Sequence, residues 1–136
     1  MELLRHINPE GMICNPAFTQ VIVVDGPHRT VYVGGQNAVD GDRNIVGVGD
    51  IGKQAEQVAW NLKTALASGG AGIDDVVKWT VYLVEGQQAG PAMAVFGQVF
   101  GVLEKPPTIS VLTVRSLSHQ DFLLEVDAVA VVAAGV

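Results

Sequence analysis

The stretch Leu123-Leu124-Glu125-Val126-Asp127-Ala128-Val129-Ala130-Val131-Val132 decides how the rest of the chain is read. Apolar, mostly β-favouring residues run almost unbroken through 122–132, so this segment is expected to be a central strand covered on both faces. Two carboxylates interrupt it. Alternation puts Glu125 and Asp127 on one face with Leu123, Val129 and Val131, their Cα atoms roughly 6.5–7 Å apart. A carboxylate on such a strand loses hydration, which raises its pKa and permits proton exchange near neutrality. Strand twist, a subunit boundary or a pairing base would instead leave it an ordinary acid.

A central strand needs neighbours. Residues 76–84 and 108–114 read as strands from their β-branched and aromatic content. Residues 18–24 and 30–35, the second ending at Gly34-Gly35, read as a hairpin turned at Asp25-Gly26-Pro27. Between these lie two helical patterns. Ile51, Ala55, Val58, Leu62 and Ala65 recur at helical spacing over 51–68, with Leu66 widening the stripe. Asp50 stands as N-cap and Gly69-Gly70 as a left-handed stop. Pro91 opens a second helix with Val95, Phe96, Val99, Phe100 and Leu103 on its apolar side, ended by Pro106-Pro107. Hairpin, helix, strand, helix, strand, strand predicts one α+β domain over residues 1–136, a mixed sheet with both helices on one face.

Composition bounds the function. At 136 residues the chain can bury a core, and 49% apolar with 16% charged residues is too hydrophobic for disorder. The net charge is −6, and Lys and Arg are scattered singly from Arg5 to Arg115. No basic stripe exists to neutralise phosphates, so nucleic acid is not an expected partner. No apolar run approaches the roughly 20 residues of a membrane span, and Met1 to His6 lacks the layout of a signal peptide. Cys14 is a lone cysteine, which excludes an internal disulfide. A reduced, cytoplasmic setting is expected.

Other motifs carry less. Gly47-Val48-Gly49-Asp50-Ile51-Gly52 matches the literal dinucleotide pattern G-x-G-x-x-G. Only Ile45-Val46 precedes it as a strand, and Asp50 would face the phosphates, so a loop feeding a capped helix is expected. His6, His28 and His119 show no metal-ligand spacing with one another or with Cys14, and no metal is expected. There is no G-x-S-x-G elbow for acyl chemistry. Trp60 lies opposite the apolar stripe with Lys53, Glu56 and Gln57, either flat on polar neighbours or as a contact for a partner.

Three segments make the chain recognisable: Asp74-Asp75-Val76-Val77-Lys78-Trp79-Thr80-Val81-Tyr82-Leu83, Lys105-Pro106-Pro107-Thr108-Ile109-Ser110-Val111, and Leu124 to Val131. They resemble the Rid (reactive intermediate deaminase) family, also called YjgF or endoribonuclease L-PSP-like. Gly34-Gly35-Gln36 resembles that family's first-hairpin Ser-Gly-Gln, and Asp50 to Leu66 its first helix. The resemblance runs through nearly the whole chain in order. It implies a chorismate-mutase-like α+β protomer in a homotrimer with three clefts between subunits. Archetypal members hydrolyse reactive enamines and imines without a cofactor, and none is expected here.

Carried over by position, Glu125 is the family's acid, which orients or activates the attacking water. Ile109 occupies the place of the family's arginine in Pro-x-Arg-Ser-x-Val. Val111 stands at a small or cysteine position, Phe18 where tyrosine is common, and Gly34 where serine is common. An arginine grips a carboxylate with two charge-assisted hydrogen bonds, which isoleucine cannot make. Arg115, six residues beyond Ile109, is expected on the opposite side of the strand. The resemblance therefore implies a homotrimer whose cleft binds or transforms a small neutral or cationic metabolite. Its site is Glu125 with Phe18, Gly34, Gly35, Ile109, Val111 and Asp127. Two alternatives stand beside it: an imine or enamine deaminase using Glu125 and another anion anchor, and a non-catalytic interaction protein.

Overall fold

Residues 2–135 are described by the structure, a computed structural model; Met1 and Val136, the ends of the expected domain, lie outside them. In chain order these residues form β1 (Leu4–Ile7), β2 (Val21–Val24), β3 (His28–Gln36), α1 (Ile51–Ser68), β4 (Val76–Val84), α2 (Ala89–Phe100), β5 (Thr108–Val114) and β6 (Leu124–Ala133). The main sheet has the order β3-β6-β4-β5. β6 runs antiparallel to both its neighbours, and β4 and β5 are parallel. A parallel pair needs a crossover, and α2 supplies it. This is the expected mixed sheet, with α1 and α2 packed together on one face.

Small residues explain the close approach of helix to sheet. β6 presents Ala128 and Ala130 beside Leu124 and Val126, all at most 2% exposed. Against them α1 lays Ala55, Val58, Ala59, Leu62 and Leu66, while α2 contributes Ala92 and Phe96. Asp50 caps α1 as expected, its Oδ1 accepting the Lys53 N–H at 3.0 Å. Gly70, at φ 78°, makes the left-handed exit. Among the described residues no helix is long and apolar enough to cross a membrane.

Three expectations need correction. The 18–24 and 30–35 segments do not pair as a hairpin: β2 pairs with β1 in a separate two-stranded ribbon, and β3 pairs with β6. Phe18 and Thr19 are held away from β2, the Thr19 hydroxyl donating to the Pro106 carbonyl at 2.6 Å and its N–H to Pro107 at 3.1 Å. The second helix ends at Phe100, where Gly101 turns to φ 77°, so Leu103 lies beyond it and Pro106-Pro107 do not stop it. β6 is central but the helices cover one face only. Glu125, Asp127 and Val129 sit half-buried on the other.

The glycine motif is the expected loop. Gly47 has φ 75°, and a Cβ there would stand 2.6 Å from that of Lys53. Its carbonyl accepts from Gln54 Nε2 at 3.1 Å. Gln54, fully buried, also donates to the Asp121 carbonyl at 2.8 Å and accepts from Leu123 N at 2.9 Å. One amide thus ties the glycine loop to the chain entering β6.

Candidate functional site

β3 is bulged where it passes Asp127. Val33 faces Ala128 and Gln36 faces Val126, so Gly34 and Gly35 together oppose one residue. A bulge of this kind re-aims local side chains. The Glu125 carboxylate lies on the Gly35 backbone: a Cβ at position 35 would overlap Oε2 and sit 2.7 Å from Cδ. Gly34 has open space in that direction, so only Gly35 is sterically required.

Asn37, just past the bulge, holds Glu125 from the side. Its Nδ2 donates to Glu125 Oε1 at 3.2 Å and to the Leu124 carbonyl at 3.3 Å. Asn37 is itself fixed from α1. Asn61 Nδ2 donates to the carbonyls of Asn37 at 3.2 Å and Val39 at 3.0 Å, and Asn61 Oδ1 accepts from Gln57 Nε2 at 2.8 Å. A chain of amides therefore runs from the helix to the carboxylate.

Across the sheet, Thr80 pairs with Asp127 and Tyr82 with Glu125, so all four side chains share the face away from the helices. The Tyr82 hydroxyl donates to Asp127 Oδ2 at 3.2 Å. The Asp127 charge, then burial and the hydrogen bond itself, push the phenol pKa up. Among the described residues the ion pairs are Arg5–Asp25, Lys105–Glu2 and His119–Asp121, none of which involves Glu125 or Asp127. The site is an acidic patch with hydrogen-bonding neighbours; the exposed Lys78, opposite Val129 on the same face, forms no ion pair with either carboxylate among the described residues.

The remaining expected site residues lie elsewhere in the protomer. Ile109 pairs with Trp79 and Val111 with Val81, residues of the helix-covered face, so both project opposite to Glu125. β4 also separates their strand from β6. Phe18 follows a turn at Asn15, and the Thr19 bonds place it by the start of β5. One protomer thus brings Gly34, Gly35, Glu125 and Asp127 together, and leaves Phe18, Ile109 and Val111 apart from them.

The expectation for Arg115 is also corrected. A step of six is even, so continued alternation would return it to Ile109's side, and β5 ends at Val114 with Arg115 exposed beyond it. The residues not anticipated are Asn37, Asn61, Gln57 and Tyr82. Asn37 stood directly after Gly34-Gly35-Gln36, while Tyr82 within the 74–83 segment and Gln57 and Asn61 within the first helix were legible as strand and helix but not as site residues. Trp60 is half-exposed with Lys63 Nζ 4.9 Å from its ring centroid, a cation–π contact on polar surface.

Comparison with known proteins agrees with the fold. The family model described as Endoribonuclease L-PSP matches residues 14–132. A RutC family protein of Synechocystis is 34% identical over 115 residues, 84% of this chain and 85% of that one. The 2-iminobutanoate/2-iminopropanoate deaminase of Rattus norvegicus is 31% identical over 84 residues, 62% of this chain and 59% of the rat protein. Among solved structures, YyfB of Yersinia pestis, a Rid family protein of unknown function, superposes with a TM-score of 0.82 at 29% identity. The match covers 96% of this chain and all of that one. With its mixed sheet, its two helices on one face and a match spanning most of its length, the chain belongs to the endoribonuclease L-PSP family, the Rid or YjgF proteins.

Proposed function

We propose that this protein is a homotrimer whose inter-subunit cleft binds or transforms a small neutral or cationic metabolite. The division of the site carries the reading. Glu125, Gly35 and Asp127 occupy one sheet face, while Ile109 and Val111 project from the other, two strands away. Only a second copy can bring the two groups to one cleft. β5 is moreover an edge strand, with Val111 and Leu112 51% and 42% exposed, and an apolar edge of this kind calls for cover.

The chemistry follows from what lines that cleft. An anion would be desolvated beside Glu125 and Asp127 with isoleucine in place of the family's arginine, and Lys78, exposed to water on the same face, offsets little of the repulsion. An amine or amide N–H instead donates to Glu125 while its apolar body meets Phe18, Ile109 and Val111. Calorimetry against matched amine, amide and carboxylic acid analogues tests this, with sedimentation on the same sample. The amine or amide binding best to a trimer is expected. A monomer at micromolar concentration, or preference for the acid, overturns the reading.

Hydrolysis of an imine is the second reading, favoured by the rat relative's activity. Glu125 would take a proton from water as the oxygen adds to the C=N carbon and pass it to the nitrogen; the carbinolamine would then move its hydroxyl proton to the nitrogen, breaking the C–N bond to release ammonia and leave a C=O. Ammonia release from freshly generated imines, compared with Glu125→Gln, tests it.

A further inference from the structure

Glu125 stands on the open face of the sheet, yet the groups that fix its direction begin on α1, across the sheet. The chain between them is short and tightly held. Gly34 and Gly35 form the bulge and Gln36 ends β3. Asn37-Ala38-Val39 then close a three-residue turn, the Val39 N–H donating to the Asn37 carbonyl at 2.8 Å. Ala38 at its centre is fully buried, and its own carbonyl accepts from Val46 N at 2.8 Å. Asn61 clasps this turn from the helix by donating to the carbonyls on both sides of Ala38.

The main chain dictates which way each amide points. A carbonyl can only accept, so the Asn37 atom that meets the Leu124 carbonyl is its NH2 group, and the same group meets Glu125 Oε1. Two carbonyls fix the Asn61 NH2 group in the same way. That leaves Asn61 Oδ1 facing Gln57, which meets it with a donor. Flipping Asn37 or Asn61 would set oxygen against oxygen. Glu125 Oε1 is thereby the bonded oxygen, and Oε2 is the one lying over Gly35. Asn37, Gln57 and Asn61 are all half-buried, so water competes less for these bonds than at an open surface.

We infer that Asn61, oriented by Gln57, is a positioning residue for Glu125, acting through Asn37 to hold the carboxylate as the acceptor of a ligand N–H. The ligand half of this inference rests on the cleft reading above; the relay itself does not.

The test follows one spectroscopic signal and one binding constant in the full chain. In the ¹H–¹⁵N spectrum, Glu125→Gln should shift the Asn37 side-chain resonance that meets the carboxylate. Asn61→Ala should move the same resonance toward that of a free amide, and Gln57→Met should move it the same way by less. Benzylamine, an amine with an apolar body, is titrated calorimetrically in parallel. Its affinity should fall about tenfold in Asn37→Ala and about fivefold in Asn61→Ala. In the Asn37→Ala background, Asn61→Ala should cost no further affinity, because its route to Glu125 is already cut. Gln57→Met leaves both clasped carbonyls their donor, and it keeps the test decisive if Asn61→Ala fails to fold. An unmoved Asn37 resonance, or equal affinity losses in both backgrounds as a purely structural role would give, overturns the inference. If benzylamine binds no form of the protein, the cleft reading fails with the ligand half. The resonance then decides the relay alone, which stands if Asn61→Ala moves the signal and falls if it does not.

Discussion

Glu125 rests on Gly35, and the contact is tight enough that position 35 has no room for a side chain while the carboxylate stays where it is. The atoms in the way are the far end of a flexible side chain, so a methyl group there moves the carboxylate rather than the sheet. Gly35→Ala should therefore cost stability little, under about 1 kcal/mol, well below a true core overpacking. It should nonetheless break the Asn37 bond to Glu125 and lower ligand affinity or activity about tenfold, or ~1.4 kcal/mol. Thermal denaturation beside calorimetry separates the two effects. A large stability loss with intact affinity would show that the backbone gives way instead.

Gln54 is the support under that strand. Replacing it with leucine leaves the Gly47 and Asp121 carbonyls and the Leu123 N–H without their partner. Unsatisfied buried groups of this kind are expensive, and Gln54→Leu should cost about 3 kcal/mol in urea unfolding. Gln54→Glu should not rescue it, since a carboxylate cannot donate to either carbonyl. A loss below about 1 kcal/mol would mean that water takes over the bonds.

Tyr82 gives the face a pH dependence. Its folded pKa is raised, chiefly by the Asp127 charge, so the folded chain holds the phenol proton more firmly than the unfolded one does. That contribution is complete below the unfolded value near 10 and is lost as pH rises through the folded value. Stability of the wild type should fall across this alkaline window more steeply than that of Tyr82→Phe. Parallel pH profiles for the two chains would show that the Asp127 contact does not hold the proton.

What was legible followed the range of the forces involved. α1 was readable to its boundaries, because a helix stripe, an Asp50 cap and a Gly-Gly exit are all local signals. Glu125 and Asp127 were readable as neighbours on one face, because alternation in a strand is local too. The pairing of β2 was not: Leu4 to Ile7 is too short to show a period, and the Thr19 bonds to Pro106 and Pro107 span most of the chain. The Gln57–Asn61–Asn37 relay was invisible for the same reason, since amides on a helix and after a bulge carry no mark of which carbonyl they will meet. Position 109 read clearly as a departure from the family motif. Its face relative to Glu125 needed the register of three strands.

That departure supplies the last prediction. Ile109 is half-buried on β5, packed against the core beside Trp79, so an arginine there must carry its stem along apolar surface and its guanidinium outward. Ile109→Arg should cost about 1–3 kcal/mol of stability from lost packing. In the proposed trimer it should also place a planar cation in the cleft that holds the neighbouring subunit's Glu125. An α-imino or α-amino carboxylate would then gain a two-pronged anchor, and its affinity should rise about tenfold or more while that of a matched amine falls. Calorimetry with the amine and acid pair reads this inversion directly, and ammonia release from 2-imino acids reads any gain in turnover. Glu125→Gln in the Ile109→Arg background should keep the acid's affinity and lose the turnover. If the arginine changes stability alone, with the amine still preferred, positions 109 and 125 do not share a cleft and the assignment of β5 to it fails.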